Sequence, residues 1–372
     1  MVAALAVVFL GCWEALHHWF YAHNVITDTP AYQGYGLAMR NGIAPYRDIP
    51  VEYPPGALPV FLAPTYVGGY DATFGWLMAV CGLGCLLFAA AARARLHALA
   101  FIAVSPLLIG ALALTRFDFW PMLFVVAALA AFVRDRHSTG WFALGAGVAA
   151  KLFPLVLVPL AAVWTLRRRG AHALALSALW GIAAIAVAFV PFLVIAPHGI
   201  WNSLDGEATR PLQIESLAAS ALMTFGRPTV FSSHGSINLA GQGTLATVTT
   251  VAELVVLVSL WFAFARGPSS SDRFLRYAAA CLCAFIALGK VLSPQFLIWL
   301  VPTVALVRGR RGYLATAILT AAWVATDVFF PKRYFEYVFH FQLAWVVFVR
   351  DLLLLGLLVT LSWPERAPAR SS

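Results

Sequence analysis

The segment ITDTPAYQGYGLAMRNGIAPYRDIPVEYPPG, residues 26–56, gathers Asp28, Asp48 and Glu52 with two arginines and four tyrosines in a chain that is otherwise almost continuously apolar. A carboxylate at the edge of an apolar region can take a proton from an alcohol, so these acids are candidates for a general base. Asp28 leads because it stands where the first apolar stretch ends, and Asp48 and Glu52 are the weaker candidates. Histidine adds acid–base capacity, and His234 in FSSHGSINLAGQG comes before His340, because its Gly- and Ser-rich loop is suited to folding over a cavity. Arg116, Lys151 and Lys290 sit at the ends of apolar stretches or at breaks within them, where a cation needs a reason to stay.

The elements that must position these residues follow from composition. With 62% hydrophobic residues, 11% charged residues and a mean hydropathy of +0.83, the 372-residue chain has too little charge to cover a soluble surface. Its apolar runs are near bilayer length and lack strand alternation, so the expectation is an all-α integral membrane protein. The spans read as 2–21, 72–92, 97–114, 118–133, 139–150, 153–166, 171–196, 244–265, 272–290, 294–307, 311–329 and 343–361, about twelve in all. Breaks at Pro64 and Pro154 mark half-spanning helices of the kind that border a cavity.

Basic residues fall in every second loop, from Arg93 and Arg95 to Arg366 and Arg370, which places those loops and both termini on the cytoplasmic side. The net charge of +9 is then a topological signal rather than a nucleic-acid footprint. Two long loops, 23–55 and about 197–243, face outward. The first apolar stretch is too long for a signal peptide and lacks its cleavage pattern, so it reads as an anchored span. Residues 1–363 form one transmembrane domain in this reading, and 364–372 a short disordered tail.

Cys12, Cys81, Cys85, Cys281 and Cys283 all fall inside spans and read as small core residues. Asp205 and Glu207 form a loose acidic pair, the weak candidate for a divalent-cation site; the expectation is no metal and no cofactor. Arg116 has an ion pair with Asp118 as its bland alternative, and Arg350 and Asp351 are expected to find partners on other helices rather than each other. Asp28–Thr29–Pro30 has the order of a helix N-cap, so a short amphipathic helix over 30–41 is expected, with Asp28 either its cap or a base. Ser293–Pro294 starts another helix with Gln295 in its first turn. Trp201, Trp299 and Tyr334 read most simply as an interfacial belt.

The acid after the first span, Tyr32 four residues on, NGIAPYRD and EYPPG together resemble the first external loop of glycosyltransferase family 87. TRFDFWPMLFVVAALAAFVRDR at 115–136, GWFALGAGVAAKLFPLVLVPLAAVWTLRRR at 140–169 and ALGKVLSPQFLIWLVP at 287–302 match that family's pattern in the same order. The resemblance implies a GT-C helical bundle in a bacterial plasma membrane with its site facing away from the cytoplasm. It implies transfer of a sugar, most plausibly mannose, from a polyprenyl-phosphate donor to a lipid or glycan acceptor. Asp28 matches the family's base, Arg116, Lys151 and Lys290 would hold the donor phosphate, and Tyr32, Tyr53 and Gln295 would line the site. A transporter or flippase of a lipid-linked sugar is the alternative; it predicts internal repeats, and none is visible.

Overall fold

Apolar sequence in lipid must satisfy its own backbone, and the chain does so with helices. The computed structural model describes residues 1–20 and 28–363, so the start of the first outer segment, up to Thr27, and the tail at 364–372 lie outside the described residues. The first third supplies α1 (Val2–Ala15), prolonged by a π turn over Leu16–Phe20, then α2 (Thr29–Arg40), α3 (Leu58–Leu62), α4 (Tyr70–Ala91) and α5 (Leu96–Ile109). Next come α6 (Ala111–Thr115), α7 (Phe119–Val133), α8 (His137–Ala150) and the long α9 (Val158–Ile195). Within α9, Gly170 takes a φ of 84° and divides the helix where Arg167–Arg169 had marked a loop between two spans. A residue with a Cβ would be strained at that angle.

The segment read from sequence as the second outer loop is folded. It contains α10 (Pro197–Ala208), α11 (Leu217–Phe225) and an antiparallel hairpin of β1 (Val230–Ser233) and β2 (Ser236–Leu239). His234 and Gly235 turn the hairpin at φ values of 51° and 63°. Two consecutive left-handed residues give the turn geometry that matches strand twist. The chain then runs through α12 (Gly243–Arg266), α13 (Ser271–Leu288), α14 (Leu300–Ala305), α15 (Gly309–Phe329), α16 (Tyr334–His340) and α17 (Ala344–Ser362).

Among the described residues, five helical stretches are long and apolar enough to cross a membrane: Tyr70–Ala91, Phe153–Ile195, Gly243–Arg266, Gly309–Phe329 and Ala344–Ser362. Val2–His18, Leu96–Ile109, Phe119–Val133 and Pro294–Ala305 are shorter apolar helices. Breaks fall at the expected prolines. Around Pro154 a 3-10 turn, Phe153–Leu157, follows an extended Lys151, and Pro64 lies in a 3-10 turn over Ala63–Tyr66. The Ser293–Pro294 start opens a 3-10 turn, Pro294–Trp299, before α14.

All five cysteines are free, and Cys81, Cys85, Cys281 and Cys283 are buried in the core. Arg350 and Asp351, both fully buried on α17, correct their expectation in part. The long arginine folds back so that its Nε lies 2.6 Å from Asp351 Oδ1, although each residue also reaches another element. Arg350 Nη2 donates to the Glu215 carbonyl at 2.8 Å, and Ser220 Oγ of α11 donates to Asp351 Oδ2 at 2.5 Å. α17 is thereby bound to the segment that leads into α11.

Candidate active site

Asp28 occupies the N-cap position of α2 but makes no side-chain cap. Its carbonyl accepts the Ala31 and Tyr32 amides, so the helix start is already served and the carboxylate is free to work elsewhere. That carboxylate is paired with Arg116 through Oδ2, which also accepts the Tyr32 hydroxyl at 3.3 Å. Arg116 is therefore partnered with Asp28 and not with Asp118, the bland alternative to a role in phosphate binding.

Asp118 belongs to a second ion pair. Its Oδ1 accepts from Lys151 Nζ at 2.7 Å and from Trp299 Nε1 at 2.6 Å, and the residue is 1% exposed. Lys151 does not reach for headgroups; its ammonium lies over Phe117, Phe296 and Trp299 at 4.8, 5.4 and 5.2 Å. Desolvated cation–π contacts and a carboxylate partner make this a stable place for a charge. Trp299 is thus buried in the site and not in an interfacial belt, whereas Trp201 is exposed.

Both pairs border a cavity of about 600 Å³. Asp28, Tyr32, Glu52 and Tyr53 come from the first outer segment, Arg116 and Phe117 from the link between α6 and α7, and Lys151 from the break after α8. Lys290 and Gln295 line it from the link between α13 and α14, and His234 from the hairpin tip. Packing fixes this wall: Phe117, almost fully buried, meets the rings of Tyr32, Tyr53 and Phe61 edge-on at 5.6, 5.0 and 5.2 Å. Edge-to-face pairs of this kind add about 0.5–1.5 kcal/mol each beyond burial. A Cβ placed on Gly235 would stand 3.2 Å from Glu52 Oε2, so the hairpin tip comes down onto the first outer segment.

Two expected residues lie away from this wall. Asp48 accepts the Ala44 amide at 2.9 Å and both Arg47 guanidinium contacts, at 2.9 and 2.8 Å, and lines a smaller neighbouring cavity of about 280 Å³. Those hydrogen bonds hold its carboxyl down to about 2. His340 is exposed at the end of α16 and is not among the residues lining the main cavity. Of the loose acidic pair, Glu207 reaches Arg210 at 3.4 Å and Asp205 is not on the cavity wall.

The structure adds residues that sequence reasoning gave no role or passed over. Arg210 lies on the wall with an unpartnered Nε, and its Nη2 donates to the His234 carbonyl at 2.9 Å. Glu253 of α12, deep in an apolar run, also lines the cavity. Gln213 and Glu215, each 2% exposed, lie on the segment between α10 and α11. Burial pushes the Glu215 carboxyl up to about 8, with Arg350 and Arg116 pulling it down and Asp351 pushing it further up. The available signal was a Gln–x–Glu pair a few residues after Asp205 and Glu207 in the same loop, too common a pattern to single out.

The cavity therefore holds an accessible carboxylate, several cations on the same wall, and aromatic rings, a set fit to bind an anionic lipid-linked group and deprotonate an alcohol beside it. Comparisons with known proteins bear on fold and family. ArnT from Cupriavidus metallidurans, solved bound to undecaprenyl phosphate, superposes with a TM-score of 0.54 at 15% identity, covering 97% of this chain and 76% of that one. That likeness shows a shared fold. Among curated proteins none matches the sequence. The model of glycosyltransferase family 87 matches residues 52–294, well over half the length, and the chain belongs to that family of membrane glycosyltransferases.

Proposed function

We infer that this glycosyltransferase moves a sugar, with mannose the favoured candidate, from a polyprenyl-phosphate donor to a hydroxyl of a lipid or glycan acceptor. The observation that carries the reading is Asp28: a carboxylate at the cavity wall, one-third exposed, steadied through one oxygen by Arg116 and Tyr32. In a single displacement with inversion, the acceptor O–H gives its proton to Asp28 and the acceptor oxygen bonds to the anomeric carbon. The bond from that carbon to the phosphate oxygen breaks, and its electron pair leaves on the polyprenyl phosphate. Arg116, Lys151, Lys290 and Arg210 share the wall and would offset the charge that develops on the leaving phosphate. No step is routed through a metal.

The undecaprenyl phosphate in the ArnT structure supports a donor of this chemistry. The same reading has one bundle over residues 1–363 of about twelve spans, in a bacterial plasma membrane, with cytoplasmic termini and an extracytoplasmic site. Its support is the coincidence of the apolar stretches with helices and the alternation of basic loops.

The test is transfer of labelled mannose from polyprenyl-phosphate-mannose to a lipid extract, by membranes carrying wild-type protein or Asp28→Asn. The expected loss is about 10²–10⁴-fold, the usual contribution of a positioned base, at unchanged yield of folded protein. Equal activity would remove Asp28 from catalysis and turn attention to Glu52, the other wall carboxylate of the first outer segment.

A further inference from the structure

We propose that Gln213 and Glu215 read two neighbouring hydroxyls of the sugar being transferred, and so set which donor the enzyme accepts. The proposal rests on the glycosyltransferase reading above and names a specificity site within the same cavity.

Gln213 Nε2 donates to Glu215 Oε2 at 3.0 Å and to Ser293 Oγ at 2.9 Å. Both amide protons are thus used, which fixes the amide orientation and leaves Gln213 Oε1 as an acceptor. Gln213 Oε1 and Glu215 Oε1 are both buried and both without a hydrogen-bond partner. A buried acceptor left unpaired costs about 1–3 kcal/mol. Two of them, two residues apart on a cavity wall, are a cost that a bound donor group would remove.

The segment is held rigidly enough to read a ligand. The Gln213 amide donates to the Lys290 carbonyl at 3.0 Å, and the Ile214 amide to the Ile237 carbonyl at 3.2 Å. Tyr337 OH donates to the Ile214 carbonyl at 2.5 Å, Ser216 Oγ to the Gln213 carbonyl at 2.8 Å, and Arg350 Nη2 to the Glu215 carbonyl at 2.8 Å. The buried Arg350–Asp351 pair therefore has a purpose: it braces a cavity wall from the membrane interior. Sites built on such bracing hold the tolerances that recognition needs.

Chemistry narrows the ligand. The Gln213 oxygen can only accept and so repels a phosphate. Arg116, Lys151, Arg210 and Lys290 line the same cavity and disfavour an ammonium group. Burial keeps Glu215 largely protonated at neutral pH, which suits a hydroxyl that both donates and accepts. Arg116 is within electrostatic reach of Glu215 and is itself paired with Asp28, and Asp28, Arg116, Gln213 and Glu215 line the same cavity. A sugar ring bearing adjacent free hydroxyls is the group that fits.

The experiment uses the full-length enzyme in membranes, polyprenyl-phosphate-mannose, and the four donors lacking the 2-, 3-, 4- or 6-hydroxyl. Wild type is expected to lose at least about 10²-fold in kcat/KM for two adjacent deoxy donors, since a site built to bond a hydroxyl rejects its absence strongly. Gln213→Ala should erase the discrimination at one of those positions and Glu215→Ala at the other, while Glu215→Gln should keep part of it. A wild-type enzyme that uses all four deoxy donors within about threefold of mannose would overturn the proposal without any variant. So would variants that slow every donor equally, which is the mark of a merely structural role. Transfer from none of the donors by wild type would sink the mannose-donor reading and this proposal with it, an outcome distinct from the other two.

Discussion

Two ion pairs lie within three residues of each other along the chain, and they serve opposite ends. Asp118–Lys151 is the enclosed pair: the acid is 1% exposed and accepts from Trp299, and its partner, brought in by a helix break, holds its ammonium over Phe117 and Phe296. Asp28–Arg116 has a buried cation but a carboxylate one-third open to the cavity. The same two charges make a structural post in one place and a reactive group in the other; each acid has two side-chain partners on one oxygen, and what separates them is how far the acid is open to the cavity. The difference predicts that breaking the enclosed pair costs mainly stability, although Lys151 also faces the cavity, and that breaking the open pair costs mainly turnover.

The largest effect on stability should therefore come from Lys151→Met. It leaves the Asp118 charge buried and uncompensated, which costs about 3–5 kcal/mol. The unfolding temperature in detergent, at one fixed scan rate, should fall by several degrees. The double variant Lys151→Met with Asp118→Asn should recover much of the loss, because the amide stays neutral and keeps an acceptor for Trp299. A double variant no more stable than the single one would show that the ammonium acts through its aromatic contacts and not through the acid.

Arg116→Gln is expected to do the reverse. Water reaches the remaining Asp28 carboxylate, so the stability loss should stay within about 1 kcal/mol. Transfer from polyprenyl-phosphate-mannose should fall at least about tenfold, since the base loses its brace and the leaving phosphate a cation. An Arg116→Gln protein that unfolds as readily as Lys151→Met would collapse the distinction between the two pairs.

How much of this was legible in the sequence follows the same line. The helices were, because long apolar runs have few other ways to satisfy their backbones in lipid, and the breaks at Pro64 and Pro154 fell where proline removes a donor. Asp28 stood out because a charge after an apolar span needs a reason. The Asp28–Arg116 pair was not legible, because sequence proximity offers Asp118 as the one nearby acid, whereas the bundle brings Asp28 in from the start of α2. The folded second outer segment and its Gln213–Glu215 pair were invisible: short elements of mixed polarity carry no periodicity, and their order comes from Tyr337, Arg350 and Lys290, all distant in sequence. Trp299 was mistaken for a belt residue because an indole at a span end looks the same whether it meets headgroups or a buried carboxylate.

The smallest effect belongs to a third acid, Asp48, which has partners like the enclosed pair and exposure greater than the open one. Arg47 and the Ala44 amide hold its carboxyl down near 2, and it stands apart from the main cavity. A depressed carboxyl contributes its stabilisation above the unfolded value, near 4, and loses it as the pH falls through its folded value. Asp48→Asn should leave transfer at neutral pH within about twofold of wild type, the size expected of an exposed pair. Hydrogen exchange over residues 43–49, compared between the two proteins at matched pH, should show extra protection in wild type at pH 6 that shrinks as the pH is lowered toward 2. A tenfold loss of transfer in Asp48→Asn would mean that the smaller cavity takes part in turnover. The division between structural and reactive acids would then have to be drawn by position relative to both cavities and not by enclosure alone.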